Sequence, residues 1–188
     1  MIPGETPLFR AINGWPDSLA PIMVWFSTAI DSLPFKLFLL VYVIVMVVRG
    51  GKARPAALLS LVAFPIANGI TDLFKHGLPE HRPFQVLADV VVRTGKSESM
   101  GTASAHAANM ACVATVMTLI LGWRWGGIWI AVAILVGFSR VYCGVHWPSQ
   151  VVLGWSIGIY VGFAAVWVYR RVSLIRERKK GKDAESAA

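Results

Sequence analysis

VVLGWSIGIYVGFAAVWVY, Val151 to Tyr169, carries no charged side chain from end to end. A helix of about 20 apolar residues, rising about 1.5 Å per residue, is what a bilayer's hydrocarbon requires. Working outward from this run, comparable segments lie near Leu19 to Ile30, Pro34 to Val48, Pro55 to Phe74, Ser104 to Leu121 and Gly126 to Val141, the first being the shortest. Composition agrees: of 188 residues, 56% are hydrophobic and 15% charged, with a mean hydropathy of +0.60. Lipid offers the backbone no hydrogen-bond partner, so such segments satisfy themselves as helices. The expectation is an all-α integral membrane bundle of about six transmembrane helices. One domain covers residues 1–175, and the charged stretch 176–188, RERKKGKDAESAA from Arg176, reads as a disordered tail or a contact for anionic lipid heads.

The start, MIPGETPLFRAINGWPDS, has only Arg10 as a basic residue, unlike the basic lead of a secretory signal. Leu8, Phe9, Ile12 and Trp15 recur at helical spacing, which suits a short helix lying in the membrane interface, with an arm lacking fixed structure as the alternative.

A net charge of +8 raises the question of nucleic acid, but the cations are not spread over a polar, aromatic-bearing surface. Arg49, Lys52, Arg54, Arg124 and the group from Arg170 to Lys182 fall on one side of a six-span chain. The positive-inside rule makes that side cytoplasmic, with both termini on it. Lys75, Arg82, Arg93, Lys96 and Arg140 fall on the opposite, extracytoplasmic side and run against the bias, so a binding task explains them better than topology. Cys112 lies roughly 12 Å inside its helix, poorly placed to bridge Cys143 near an outer end, and both read as small core residues.

Three stretches on that outer side carry the chemistry: KHGLPEHRP (Lys75 to Pro83), ASAH (Ala103 to His106) and SRVYCGVHWPSQ (Ser139 to Gln150). Lys75 offers a point charge and Arg82 a planar fork, which together suit phosphoryl oxygens; alone they could be cations snorkelling at a helix end. Ser104, Ala105 and His106 open an apolar run, where free N–H groups favour an anion; alone, Ser104 could merely cap the helix. Arg140 closes a span, and His146 precedes Trp147 and Pro148 at the start of the next. Gln150, four residues on, can reach back to the His146 ring. The alternative for His146 is an interfacial histidine beside a tryptophan. The long connection from His76 to Thr102 reads as a lid or binding loop.

Together the stretches resemble the signature of the type-2 phosphatidate phosphatase superfamily, related to acid phosphatases and vanadium haloperoxidases. That signature reads lysine, six residues, arginine-proline; proline-serine-glycine-histidine; and serine-arginine, five residues, histidine, three residues, aspartate. Lys75, Arg82 and Pro83 meet the first part, Ser104 and His106 the second, and Ser139, Arg140 and His146 the third. Ala103, Ala105 and Gln150 replace proline, glycine and aspartate. The resemblance implies a metal-independent lipid phosphatase without cofactor, acting on a lipid phosphate among membrane lipids and not on nucleic acid. In it His146 is the nucleophile that forms a phosphohistidine, and His106 protonates the leaving group. Lys75, Arg82, Ser104, Arg140 and the Ala105 amide hold the phosphoryl oxygens. Bacterial members acting on undecaprenyl pyrophosphate, phosphatidylglycerol phosphate, phosphatidic acid or lipid A are the comparable ones.

Gln150 departs from the catalytic pattern, because a neutral amide can orient the His146 ring but cannot balance positive charge on it. Lowered activity is expected unless Asp72, Asp89 or Glu98 substitutes, with Asp72 pairing with Lys75 as the simpler arrangement. A relative that binds or moves a lipid phosphate without cleaving it is the second reading. A metal site from His76, His81, His106 and His146 with Glu80 is the third, and a weak one for want of a shared helix face.

Overall fold

The computed structural model of the chain describes residues 4–96 and 99–186, and all regular structure among them is helical. Its helices are α1 (Glu5–Asn13), α2 (Ala20–Thr28), α3 (Leu33–Arg49), α4 (Ala53–Gly77), the single turn α5 (Pro83–Val86), α6 (Ala105–Leu121), α7 (Trp123–Tyr142) and α8 (Pro148–Ser186). α6 is the hub, packed against α8, α7 and α4. The small residues of α6 and α8 face each other: a side chain at Gly158 would run into the Ala108 carbonyl, and one at Gly154 into the Ser104 carbonyl. Close approach of the two backbones therefore consumes the glycine stripe that could otherwise have served a dimer contact. Large apolar residues such as Leu40, Val41, Leu61, Val62, Val152 and Phe163 stay exposed on the outside of the bundle. A surface so apolar suits lipid rather than water.

Among the described residues three helices, α4, α7 and α8, are long and apolar enough to cross a membrane, and a fourth span results if the bent pair of residues 17–31 and 33–49 counts as one. α6 is apolar but shorter. The span expected at Leu19 to Ile30 has a different shape. α2 has nine residues, about 14 Å of helix. Both ends of its segment stay at one end of the bundle: Asp17 pairs with Arg93, the Tyr142 hydroxyl donates to the Pro16 carbonyl, and Asp31 faces His106. Apolarity alone does not distinguish a helix that crosses from one folded against the bundle's end. The breaks are local, at the 3₁₀ turn Ala29–Asp31 and at Ser32, whose side chain caps α3.

A second correction follows for the termini. α1 lies beside the N-terminus of α8, where Glu5 accepts from the Ser149 backbone N–H at 3.1 Å, whereas α8 carries the tail away to the other end. The N-terminal helix and the tail therefore lie at opposite ends of the bundle, not on a shared face. The tail expected to be disordered continues α8 as helix to Ser186, exposed throughout its described side chains. Arg, Glu, Lys and Ala are good helix formers, and they extend a helix already nucleated in the bundle.

α1 is also more than a surface helix. Phe9 is fully buried with its ring 5.0 Å from that of Trp147. Asn13 donates to the Val91 and Tyr142 carbonyls and accepts from the Val91 N–H, tying the 87–104 connection to the end of α7.

Candidate active site

The long connection and the α7–α8 turn close over the same end of the bundle and enclose a polar pocket of about 300 Å³. Lys75, Arg82, Ala105, His106, Arg140 and His146 all line it, so residues far apart in the chain converge as the motif spacing requires. Gly144, at φ 77°, makes the left-handed turn between Arg140 and His146 that a residue with a side chain would rarely adopt.

His146 sits at the floor, 3% exposed. Its Nδ1 is 3.0 Å from Gln150 Oε1 and its Nε2 is 3.2 Å from Arg82 Nη1. The amide is itself oriented: Gln150 Nε2 donates to the His81 carbonyl at 3.2 Å, and Oε1 accepts from the Trp147 N–H at 3.3 Å. With its oxygen fixed toward the ring, Gln150 is an acceptor, so Nδ1 carries the proton and Nε2 presents its lone pair. Burial foremost, then the nearby Arg140 and Arg82 cations, hold the His146 ring well below its ordinary value, with the Gln150 bond opposing them. The imidazole is neutral near pH 7 and available as a nucleophile or ligand.

Arg82 is 3% exposed and its guanidinium is pinned by oxygens of the loop: Nε donates to the Ser99 carbonyl at 2.7 Å, Nη2 to Ser99 Oγ at 3.1 Å and Nη1 to the Val145 carbonyl at 3.0 Å. Burial lowers its affinity for the proton, while these carbonyl dipoles stand in for a carboxylate partner. Arg140 is held from another direction, donating through Nη1 to the Ser27 carbonyl and hydroxyl of α2. Lys75 pairs with Asp72 at 2.9 Å, the simpler of the arrangements expected for that carboxylate. Asp89 is engaged with Arg10, and Glu98 lies outside the described residues, so none of the described carboxylates takes the place of an aspartate at Gln150.

Ser104 is fully buried, and its Oγ accepts from the Ala107 N–H at 3.4 Å, the capping geometry of a helix start. It does not line the pocket, whereas Ala105 and His106 do. Ser139 is likewise turned inward, donating to the Val136 carbonyl. His76 and His81 are exposed and outside the pocket, and among the described residues no group of three or more His, Cys, Asp or Glu could hold a metal ion.

Several pocket residues have no motif around them. Thr94 Oγ1, His106 Nε2 and Arg140 Nε are buried without a hydrogen-bond partner among the described residues, and all three residues line this one cavity. Unpaired buried polar groups cost about 1–3 kcal/mol each, so their convergence points to a polar occupant. Asp31, Thr28, Gly95 and Ser99 complete the lining. The charge bias at Arg93 and Lys96 marks the loop in the sequence, but nothing there singles out Thr94. Below, a second cavity of about 690 Å³ runs between α3, α4, α6 and α7 and is lined mostly by apolar and aromatic side chains, Phe35, Tyr42, Phe64 and Trp129 among them. Asp31, Ala105 and His106 line both cavities, so a cationic, anion-binding chamber opens into an apolar one.

The family model of the PAP2 superfamily matches residues 56–173. The undecaprenyl-diphosphatase of Sulfolobus acidocaldarius is 30% identical over 118 residues, which span 62% of this chain and 57% of that protein. The bacitracin transport permease protein BcrC of Bacillus licheniformis is 25% identical over 171 residues, 90% of this chain and 82% of that one. Among solved structures, Aquifex aeolicus LpxE superposes with a TM-score of 0.71 at 25% identity, covering 85% of this chain and 93% of its own. The first transmembrane PAP2-type phosphatidylglycerolphosphate phosphatase from Bacillus subtilis gives 0.71 at 24% identity, covering 91% and 89%, a likeness of fold.

Proposed function

The chain belongs to the PAP2 superfamily, and from that premise we propose that it hydrolyses the terminal phosphoryl group of a membrane lipid, a polyprenyl diphosphate such as undecaprenyl pyrophosphate foremost, through a phosphohistidine on His146. The observation that carries this reading is the oriented pair at the pocket floor, Gln150 Oε1 on Nδ1 and an Nε2 whose lone pair faces Arg82 Nη1. An incoming phosphoryl group takes over the Arg82 Nη1 donor from Nε2, which frees the lone pair to attack phosphorus. Lys75, Arg82, Arg140, the Ala105 amide and the Thr94 hydroxyl then hold the oxygens, and the charge spread over them is stabilised without reorganisation. Ser104 supports this by fixing the start of α6 rather than by direct contact. His106, at the passage to the apolar cavity, gives a proton to the departing oxygen and later takes one from the attacking water. The lipid chain lies in the apolar cavity, and the head group meets the 84–102 loop.

The basic residues at the far end, Arg49, Lys52, Arg54, Arg124 and the α8 tail, support a cytoplasmic assignment for that end and an extracytoplasmic one for the site and α1. Phosphatidylglycerol phosphate, phosphatidic acid and lipid A phosphates are the competing substrates. The neutral Gln150 favours one second reading, a weakly active relative that binds or moves a lipid phosphate. The test is inorganic phosphate released by purified full-length protein from each lipid, in the presence of chelator. Turnover abolished in His146→Ala is the expected result; lipid binding without turnover supports the second reading and refutes the first.

A further inference from the structure

Three cations, Lys75, Arg82 and Arg140, line the polar pocket, and Asp31 is the only carboxylate among its described lining residues. Asp31 ends the 3₁₀ turn after α2, at the bend of 67° where α3 begins. Its Oδ2 lies 3.9 Å from His106 Nε2, the buried ring nitrogen that has no hydrogen-bond partner among the described residues. That separation exceeds a hydrogen bond but is within ion-pair reach once the ring is protonated. Asp31, Ala105 and His106 frame the passage between the two cavities, where the bridging oxygen of a bound lipid phosphate must lie if the phosphate occupies one chamber and the chain the other.

We infer that Asp31 is a positioning residue for His106, and that it extends this site to lipid phosphomonoesters, whose alkoxide leaving group cannot depart without a proton. The inference rests on the phosphohistidine reading above. Once the ring is protonated the Asp31 carboxylate pairs with Nε2–H and offsets the three neighbouring cations, which otherwise disfavour a fourth positive charge in the pocket. With Nε2 committed to Asp31, Nδ1–H is the proton that is given. His146 Nε2 forms a bond to phosphorus as the ester P–O bond breaks, the electron pair stays on the leaving oxygen, and the Nδ1 proton of His106 converts that oxygen to the lipid alcohol. Neutral His106 then takes a proton from water as its oxygen attacks the phosphohistidine, releasing inorganic phosphate and restoring both rings. A diphosphate depends less on that proton, because its leaving group is a phosphomonoester anion that is stable without protonation.

The difference supplies the test. Full-length protein in detergent micelles, as wild type, Asp31→Asn and Asp31→Glu, is assayed on phosphatidic acid, on a polyprenyl diphosphate and on p-nitrophenyl phosphate. General acid catalysis contributes about 10²–10⁴-fold, and a weakened acid should forfeit part of it. For Asp31→Asn, kcat on phosphatidic acid should fall about 10- to 100-fold with KM within about threefold, while the diphosphate and the aryl phosphate lose less than about threefold. Asp31→Glu, which keeps the charge, should recover part of the loss. Equal losses on all three substrates would mean a structural role, and gains on all three would mean simple repulsion of anionic substrate; either overturns the inference. If wild type releases no phosphate, or His146→Ala releases as much, the functional reading itself has failed, an outcome separate from a uniform Asp31→Asn effect in an active enzyme.

Discussion

Replacing Gln150 with aspartate puts a charge where the structure holds a neutral amide, and the size of the effect can be worked out from its contacts. In a serine-protease triad, exchanging aspartate for asparagine costs about 10⁴-fold because the histidine adopts the wrong tautomer. That penalty does not transfer here, because Gln150 Nε2 is committed to the His81 carbonyl and Oε1 already faces His146 Nδ1. What the amide lacks is charge. Hydrogen bonds to charged groups are worth about 1.5–3 kcal/mol against about 0.5–1.5 for neutral ones, a difference of about 1–2 kcal/mol. At about 1.36 kcal/mol per decade, Gln150→Asp should raise the rate of phosphohistidine formation about 5- to 30-fold. The shorter side chain leaves a gap of about one methylene in a fully packed site, so stability should fall by about 1 kcal/mol. His81 O keeps its other donor, Trp147 Nε1 at 3.1 Å, which limits the further loss. Single-turnover phosphate release and thermal unfolding in the same detergent measure both quantities. Gln150→Leu, which keeps bulk but frees the tautomer, should lose at least about two powers of ten, on the scale of the tautomer penalty. A folded Gln150→Asp variant no faster than wild type, or a Gln150→Leu variant of unchanged rate, would refute the reasoning.

Other consequences concern the same cluster. His146 is held neutral in the folded protein, whereas in the unfolded chain it gains a proton below about pH 6.5. Its contribution to stability is therefore complete above that value and is lost as pH falls further; His146→Asn should flatten this dependence in urea titrations below pH 6.5, and the His146 limb of kcat/KM should also lie below that pH. Gly101→Ala would bring a methyl to 2.7 Å from Gln150 Oε1 and 2.8 Å from Arg82 Cγ. Stability should drop by about 1–3 kcal/mol and activity with it, readable as phosphate release from the folded fraction. Thr94→Val removes a hydroxyl that has no partner among the described residues, so the melting temperature should hold or rise while kcat/KM falls about 10- to 100-fold, with Thr94→Ser near wild type. Phe9→Ala should cost about 3–5 kcal/mol in a thermal or urea unfolding assay, since the ring is fully buried against Trp147.

The residues that converge on the pocket were legible because their spacing is tied to helix ends: Lys75 at the close of α4, His106 at the opening of α6, Arg140 and His146 on either side of the α7–α8 turn. The reach of Gln150 back to His146 followed from the same helical geometry. Asp31, Thr94, Glu5 and Asn13 were not legible as a group, because each arrives from a separate element and acts through one contact that leaves no periodic trace. The reading of Leu19 to Ile30 as a separate span is not matched by the nine-residue α2 for a related reason. Hydropathy records that α2 avoids water and is silent on whether it does so across the bilayer or folded against the end of a bundle.

The most direct test is to trap the intermediate. Full-length protein mixed with lipid substrate radiolabelled in its terminal phosphate, and quenched in alkali where a phosphoramidate survives, should carry transient label on the peptide containing His146, lost in His146→Ala together with phosphate release. Phosphate released at the wild-type rate with no label on that peptide would contradict the account.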